Sequence, residues 1–228
     1  SLMAIKKLEN KKIAYVKFGD AESDPFLKEL NKYAVVTQIN GKDITTLKQK
    51  LRDYNLVIIG LHKSNESPWK AYKFTKNELS WLGEIARERT SNLILAVFAK
   101  PYALLDVPSF ESIDAVIVGY QNSVLAQEKT AQVIFGALPA KGILPVTSHT
   151  DFPVNTTIPL ESLMRLGYSF PERVGMSSGK LAKVDKMVQN GIDSLMFPGA
   201  QIVVARKGKV IYNKGFGKPT YDSDEKIT

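Results

Sequence analysis

The chain has 228 residues, 44% of them apolar and 24% charged, with a mean hydropathy of -0.13. Those values describe a soluble globular chain and exclude a collagen, a disordered polymer or a bundle of membrane spans. Lys and Arg number 31 against 23 Asp and Glu, a net charge of +8, and cysteine is absent. Disulfides, thiolate metal centres and cysteine nucleophiles are therefore excluded.

The lysines are scattered, with neither a dense block nor an interleaved aromatic platform, so the basic balance reads as a solvated face and no nucleic-acid partner is expected. No apolar run approaches the ~20 residues of a membrane helix. The opening Ser1-Leu2-Met3-Ala4 lacks the apolar stretch of a signal peptide. Ser1-Leu2 reads as an addition in front of a piece taken from a longer protein.

In chain order, short β-branched runs alternate with amphipathic stretches. Strands are predicted at Lys12–Phe18, Ala34–Asn40, Leu56–Leu61, Leu93–Ala99 and Ala115–Gly119. The last three are apolar almost throughout, as strands buried on both faces of a parallel sheet must be. Helices are predicted at Asp24–Tyr33, Thr45–Tyr54, Lys76–Thr90 and Ser123–Phe135. In the third, Leu79, Leu82, Ile85 and Ala86 recur at helical spacing and form one buried stripe. This alternation predicts an α/β fold, a three-layer sandwich with a mostly parallel open sheet.

The rhythm changes after Val146-Thr147. Residues 148–176 carry Pro153, Pro159 and Pro171 and read as a linker wrapped over a surface. Ser178–Leu195 is then an amphipathic helix with Ser177 or Ser178 as its N-cap. Ala200–Arg206 and Lys209–Asn213 form a hairpin across Lys207-Gly208. The predicted domains are 1–147, a linker 148–176, and 177–228 as a partial α+β segment. One helix and two strands bury Ile202, Val204, Val210 and Tyr212 poorly. The last segment therefore reads as the opening of a larger domain, and its exposed hairpin is expected to self-associate.

Few residues offer chemistry. His62 follows a buried strand, at the carboxyl end where open α/β sheets place ligands, and reads either as a general base or substrate contact or as a loop histidine. His149 lies in the Pro-rich segment. Glu66, in the polar loop Lys63–Pro68, reads as a general acid for glycoside hydrolysis or as a solvated glutamate. Phe18-Gly19-Asp20-Ala21 has one glycine and no dinucleotide fingerprint, so no nucleotide or other cofactor is expected, and without an H-E-x-x-H, a His/Asp ligand spacing or an EF-hand loop no metal is expected either. Ser177-Ser178-Gly179-Lys180 matches the S-x-x-K nucleophile pattern, but at the start of an amphipathic helix it reads as a cap.

Two segments resemble known families. Val57-Ile58-Ile59-Gly60, Val97-Phe98-Ala99-Lys100-Pro101-Tyr102, Val107-Pro108-Ser109-Phe110, Ala115–Tyr120, Ala131–Gly136 and Gly142–Val146 follow one another in an order similar to family 3 glycoside hydrolases. The likeness is to their C-terminal α/β sandwich domain, especially of the β-N-acetylglucosaminidase type. With the N-terminal portion it covers about two-thirds of the chain. Pro171–Ser177, Phe197-Pro198-Gly199-Ala200, Val203–Val210 and Lys214-Gly215-Phe216-Gly217 are similar to the opening of class C β-lactamase-like serine hydrolases.

The first resemblance implies a bacterial parent whose upstream barrel carries the nucleophile and usually the acid/base group. The sandwich is then a non-catalytic partner of that barrel, and export is the family habit. In the second, the reactive serine lies beyond Gly-Phe-Gly, so Ser177 takes the family's cap position. No catalytic residue is carried over, and this chain by itself is expected to be inactive on N-acetylglucosamine-containing glycans, β-lactams and esters. Two other readings stand beside this one. Glu66 or His62 completes the parent's active site, or the chain is a cell-wall carbohydrate-binding module using its basic surface.

Overall fold

The computed structural model describes residues 4–67 and 69–228. The readings placed on Ser1–Met3, and Pro68 at the end of the Glu66 loop, lie outside the described residues. Two compact units divide the chain between Leu163 and Met164.

The first unit is an α/β sandwich. Strands β1 (Ile13–Gly19), β2 (Val36–Gln38), β3 (Leu56–His62), β4 (Asn92–Phe98) and β5 (Ala115–Val118) form a sheet of order β2-β1-β3-β4-β5. Every pairing in it is parallel. Helices α1 (Asp24–Asn31), α2 (Ile44–Leu51) and α3 (Lys76–Glu88) connect the first four strands, a 3₁₀ turn (Pro101–Asp106) lies between β4 and β5, and α4 (Val124–Ile134) follows β5. Of the predicted run Ala34–Asn40, only Val36–Gln38 is strand, at the sheet's edge.

The near-continuous apolar runs follow from burial on both faces. Val57, Ile59 and Leu61 of β3 share one core with Leu47 and Leu51 of α2 and with Leu82 and Ile85 of α3. Leu56 and Ile58 share the other with Phe26 and Leu30 of α1 and with Ala131 and Ile134 of α4. All seven β3 residues are buried. Each fully buried Leu or Ile contributes about 1.5–3 kcal/mol of transfer free energy.

The predicted linker contains the division between the units. Its first part is fastened to the sandwich unit. The backbones of Ala140 and Leu160 bond each other, Ser148 N–H donates to the Phe152 carbonyl (3.0 Å), and Leu163 N–H donates to that of Gly136 (2.7 Å). Its later part holds β6 (Gly167–Tyr168) and a 3₁₀ turn, Pro171–Val174.

The second unit adds α5 (Ser178–Asp193), β7 (Gly199–Arg206) and β8 (Lys209–Gly217), with sheet order β6-β8-β7. β8 runs past the predicted end at Asn213. Lys207 (φ 50°) and Gly208 (φ 69°) are both left-handed, the turn that matches strand twist in a two-residue hairpin. Val174, Leu181 and Ile211 form the unit's small core. No helix among the described residues is long and apolar enough to cross a membrane.

Candidate functional site

In an open parallel sheet, ligands bind beyond the carboxyl ends of the strands, where the order of connection reverses. Here that point lies between β1 and β3, and the chain's own groups fill it. Gly19 ends β1 at φ 89°, and a Cβ there would collide with the His62 carbonyl. Gly19 N–H donates to Glu78 Oε1 (2.7 Å), and Thr75 N–H donates to Glu78 Oε2 (2.7 Å). Lys63, buried just past β3, lies 3.3 Å from the same carboxylate.

Glu78 thus sits where an anionic ligand would meet backbone amides. Burial works to raise its pKa, but the Thr75 and Gly19 amides and the Lys63 ammonium outweigh it and hold the carboxyl below its ordinary value. Thr75 Oγ1 in turn accepts from Glu78 N–H, completing a capping box at the start of α3.

His62 closes the other side. Its side chain is fully buried and stacks on Phe98, ring centroids 4.5 Å apart. Asn122 Nδ2 donates to the Glu22 carbonyl (2.8 Å), which turns its Oδ1 toward His62 Nδ1 at 2.7 Å. Nδ1 therefore carries the proton and donates, while Nε2 accepts from the Tyr15 hydroxyl at 2.8 Å. Burial pushes the imidazole down to about 4, against the opposing pull of the Asn122 hydrogen bond. Burial also raises the Tyr15 phenol above its ordinary value. His62 is a neutral core histidine with both ring nitrogens engaged. Gly60 leaves room for it, since a Cβ there would lie 2.6 Å from Nε2.

Glu66 lies elsewhere, on the exposed loop beyond Lys63. Its side chain is 82% exposed and pairs with Lys70 at 3.0 Å, and that lysine holds its carboxyl below the ordinary value. A general acid needs the opposite shift at neutral pH. Of the two candidates, Glu66 is thus an exposed, ion-paired carboxylate and His62 a buried, neutral imidazole. Trp69, which the sequence reading passed over, is 92% exposed on the same loop. Lys100, from the end of β4, lies over the Tyr72 ring at 5.0 Å. A lone tryptophan between Pro68 and Lys70 in a polar loop was the available signal, because indoles are seldom left in water.

Asp20 is exposed at the β1 end. His149 packs edge-on against Phe110 (4.9 Å), with its Nδ1 accepting from Asp151 N–H (3.1 Å). In the second unit Ser177 is the N-cap of α5, its Oγ accepting from Lys180 N–H (3.3 Å). Ser178 is engaged by Glu172 through N–H (2.7 Å) and Oγ (2.6 Å). The serine-lysine tetrapeptide is thus a helix start. No group of three or more His, Asp or Glu that could hold a metal occurs among the described residues.

The sequence matches no family model and no curated protein. Among solved structures, a family 3 glycoside hydrolase is similar, an exo-β-xylosidase in complex with a xylobiose aziridine activity-based probe. The TM-score is 0.48 with 13% identity, covering 63% of this chain and 22% of that one. The chain thus spans about a fifth of that protein's length.

Proposed function

We propose that this chain is a non-catalytic accessory part of a glycoside hydrolase of the β-N-acetylhexosaminidase type, packing against a barrel that performs the reaction. The supporting observation is the state of the strand ends. The Gly19 amide, Lys63, Glu78 and both nitrogens of His62 are bonded to one another or to their neighbours. Glycoside hydrolysis needs two carboxyl groups flanking the bond, one of them protonated, and among the described residues these strand-end groups form no such pair. The resemblance of Leu56–Thr147 to a sandwich domain supplies the enzyme type.

In this reading the 63–75 loop is the glycan-facing or barrel-facing surface, with Trp69 as its flat apolar contact. An exposed indole of this kind marks an interface more often than a bare surface. Titrating the chain with N-acetylglucosamine oligosaccharides while following tryptophan fluorescence tests the glycan-facing form. A saturable shift that disappears in Trp69→Ala is expected. Identical behaviour of the variant and the parent sequence would remove the loop from glycan recognition. The carbohydrate-binding-module reading instead predicts retention on cell-wall polymer that weakens as salt is added.

A further inference from the structure

The amino edge of the parallel sheet lies at the end opposite His62. The register sets Ile13, Leu56 and Asn92 level. Asn55 N–H donates to the Lys12 carbonyl (3.1 Å), and Asn92 N–H donates to that of Asn55 (3.1 Å). The residues that enter β1, β3 and β4 are thereby held side by side.

A cavity of about 540 Å³ opens at this edge, with Lys11, Arg87, Ser91, Asn92 and Ser112 in its lining. A smaller one of about 190 Å³ adjoins it, sharing Arg89 and Ser91 and adding Arg52. Arg89 and Asn55 fix the walls. Arg89 bonds the Ser91 carbonyl (2.6 Å) and Asp114 (2.7 Å). Asn55 accepts from Lys12 N–H (3.0 Å) and donates to the Asn10 carbonyl (2.8 Å).

The other lining groups are not consumed in this way. Ser91 is only 8% exposed, yet its hydroxyl has no hydrogen-bond partner among the described residues. Every polar side-chain atom sealed within the described core is partnered, so this hydroxyl opens to the cavities. The side chains of Asn92 and Ser112 also make no hydrogen bond to a described residue. Arg87 Nε donates to the Gly83 carbonyl (3.2 Å), which anchors its stem and leaves the end of the guanidinium unpaired. Among the described residues, the charges of Lys11, Arg52 and Arg87 meet no carboxylate. None lines the larger cavity, and Glu88 on the smaller one pairs with Lys48 at 2.9 Å.

Uncompensated cations from separate chain segments, with hydroxyl and amide groups between them, suit an anion that presents oxygens on several sides. One guanidinium fork satisfies a carboxylate, whereas a phosphate monoester has three terminal oxygens and takes Arg and Lys together. Ala86 is the one hydrocarbon side chain lining the larger cavity, so nothing there stacks on a base or covers a lipid tail. Its volume falls within the roughly 300–1,000 Å³ of small-molecule sites.

We infer that this cleft binds a phosphorylated polyhydroxy compound of the sugar phosphate class. Lys11 and Arg87 hold the phosphate, and Arg52 adds positive potential from the adjoining cavity. Ser91, Asn92 and Ser112 meet the hydroxyl groups of the carrier. The inference does not depend on the glycoside hydrolase reading.

The test is an NMR titration of the chain at constant ionic strength with glucose 6-phosphate, glucose and inorganic phosphate. Glucose 6-phosphate should bind saturably in the millimolar range or tighter and move the amide resonances of Ser91, Asn92 and Ser112. Glucose should move none of them, and inorganic phosphate should bind more weakly. Lys11→Gln combined with Arg87→Gln should weaken binding about tenfold or more while the remaining resonances stay in place. Lys186→Gln, which removes a charge from α5 in the second unit, should leave binding unchanged. Three results would each overturn the inference. One is the lack of a saturable shift at these amides. Another is an equal loss of affinity in Lys186→Gln, which would mean a diffuse charge effect. The third is binding of glucose or of inorganic phosphate as tight as that of glucose 6-phosphate, which would mean that the anion or its carrier is not recognised.

Discussion

At the residue scale, His62 is the most informative side chain. Its folded pKa of about 4 lies below the ordinary 6.5, so the unfolded chain takes up a proton that the folded chain refuses. The associated stability is fully present above about pH 6.5 and is lost as pH falls toward 4, a change of roughly 3 kcal/mol. Urea midpoints measured across that window should fall with pH, and His62→Gln should flatten that part of the profile. A slope unchanged in the variant would mean that other groups carry it. Gly60→Ala should destabilise the fold by roughly 1–3 kcal/mol through crowding of His62 and Tyr15, measurable in the same titration. The position of His62 at a strand's end was legible in the sequence. Its burial was not, because the partners that satisfy it, Tyr15 and Asn122, lie 47 and 60 residues away.

At the element scale, the start of α3 couples local and long-range order. Glu78 caps its own helix and also binds Gly19 from β1. Thr75→Ala should cost about 1 kcal/mol, the ordinary cost of a lost cap. Glu78→Ala should cost more, because it also leaves the Gly19 amide and the buried Lys63 without their partner. Equal losses in thermal unfolding would mean that the link to β1 contributes nothing. The Thr75-x-x-Glu78 spacing is a capping-box signal present in the sequence, whereas the bond to Gly19 depends on the fold.

The hairpin was readable from Lys207-Gly208. The pairing of β6 with β8 was not, since two residues give no period. β7 ends its sheet with Val203 55% exposed. Concentration-dependent association is therefore expected in sedimentation, weakened by Val203→Lys. A strictly monomeric chain over a wide concentration range would contradict it.

At the scale of the whole molecule, the α/β class followed from the spacing of apolar runs. The strand order depends on which runs meet in space, and so does the filling of the reversal point by Glu78 and Lys63. The prolines at 153 and 159 suggest a linker wrapped over a surface, and backbone bonds such as Leu160 N–H to the Ala140 carbonyl and Leu163 N–H to that of Gly136 hold this stretch to the sandwich unit. The division consequently falls at 163/164, inside the predicted linker.

We propose that the strand-end groups are consumed by the fold and perform no catalysis. The most direct measurement is turnover by the purified 228-residue chain of a chromogenic N-acetylglucosaminide and, separately, of a β-lactam and an ester. No turnover of any of them is expected, with Glu66→Gln indistinguishable from the parent sequence. Hydrolysis of the glycoside that Glu66→Gln abolishes would contradict it.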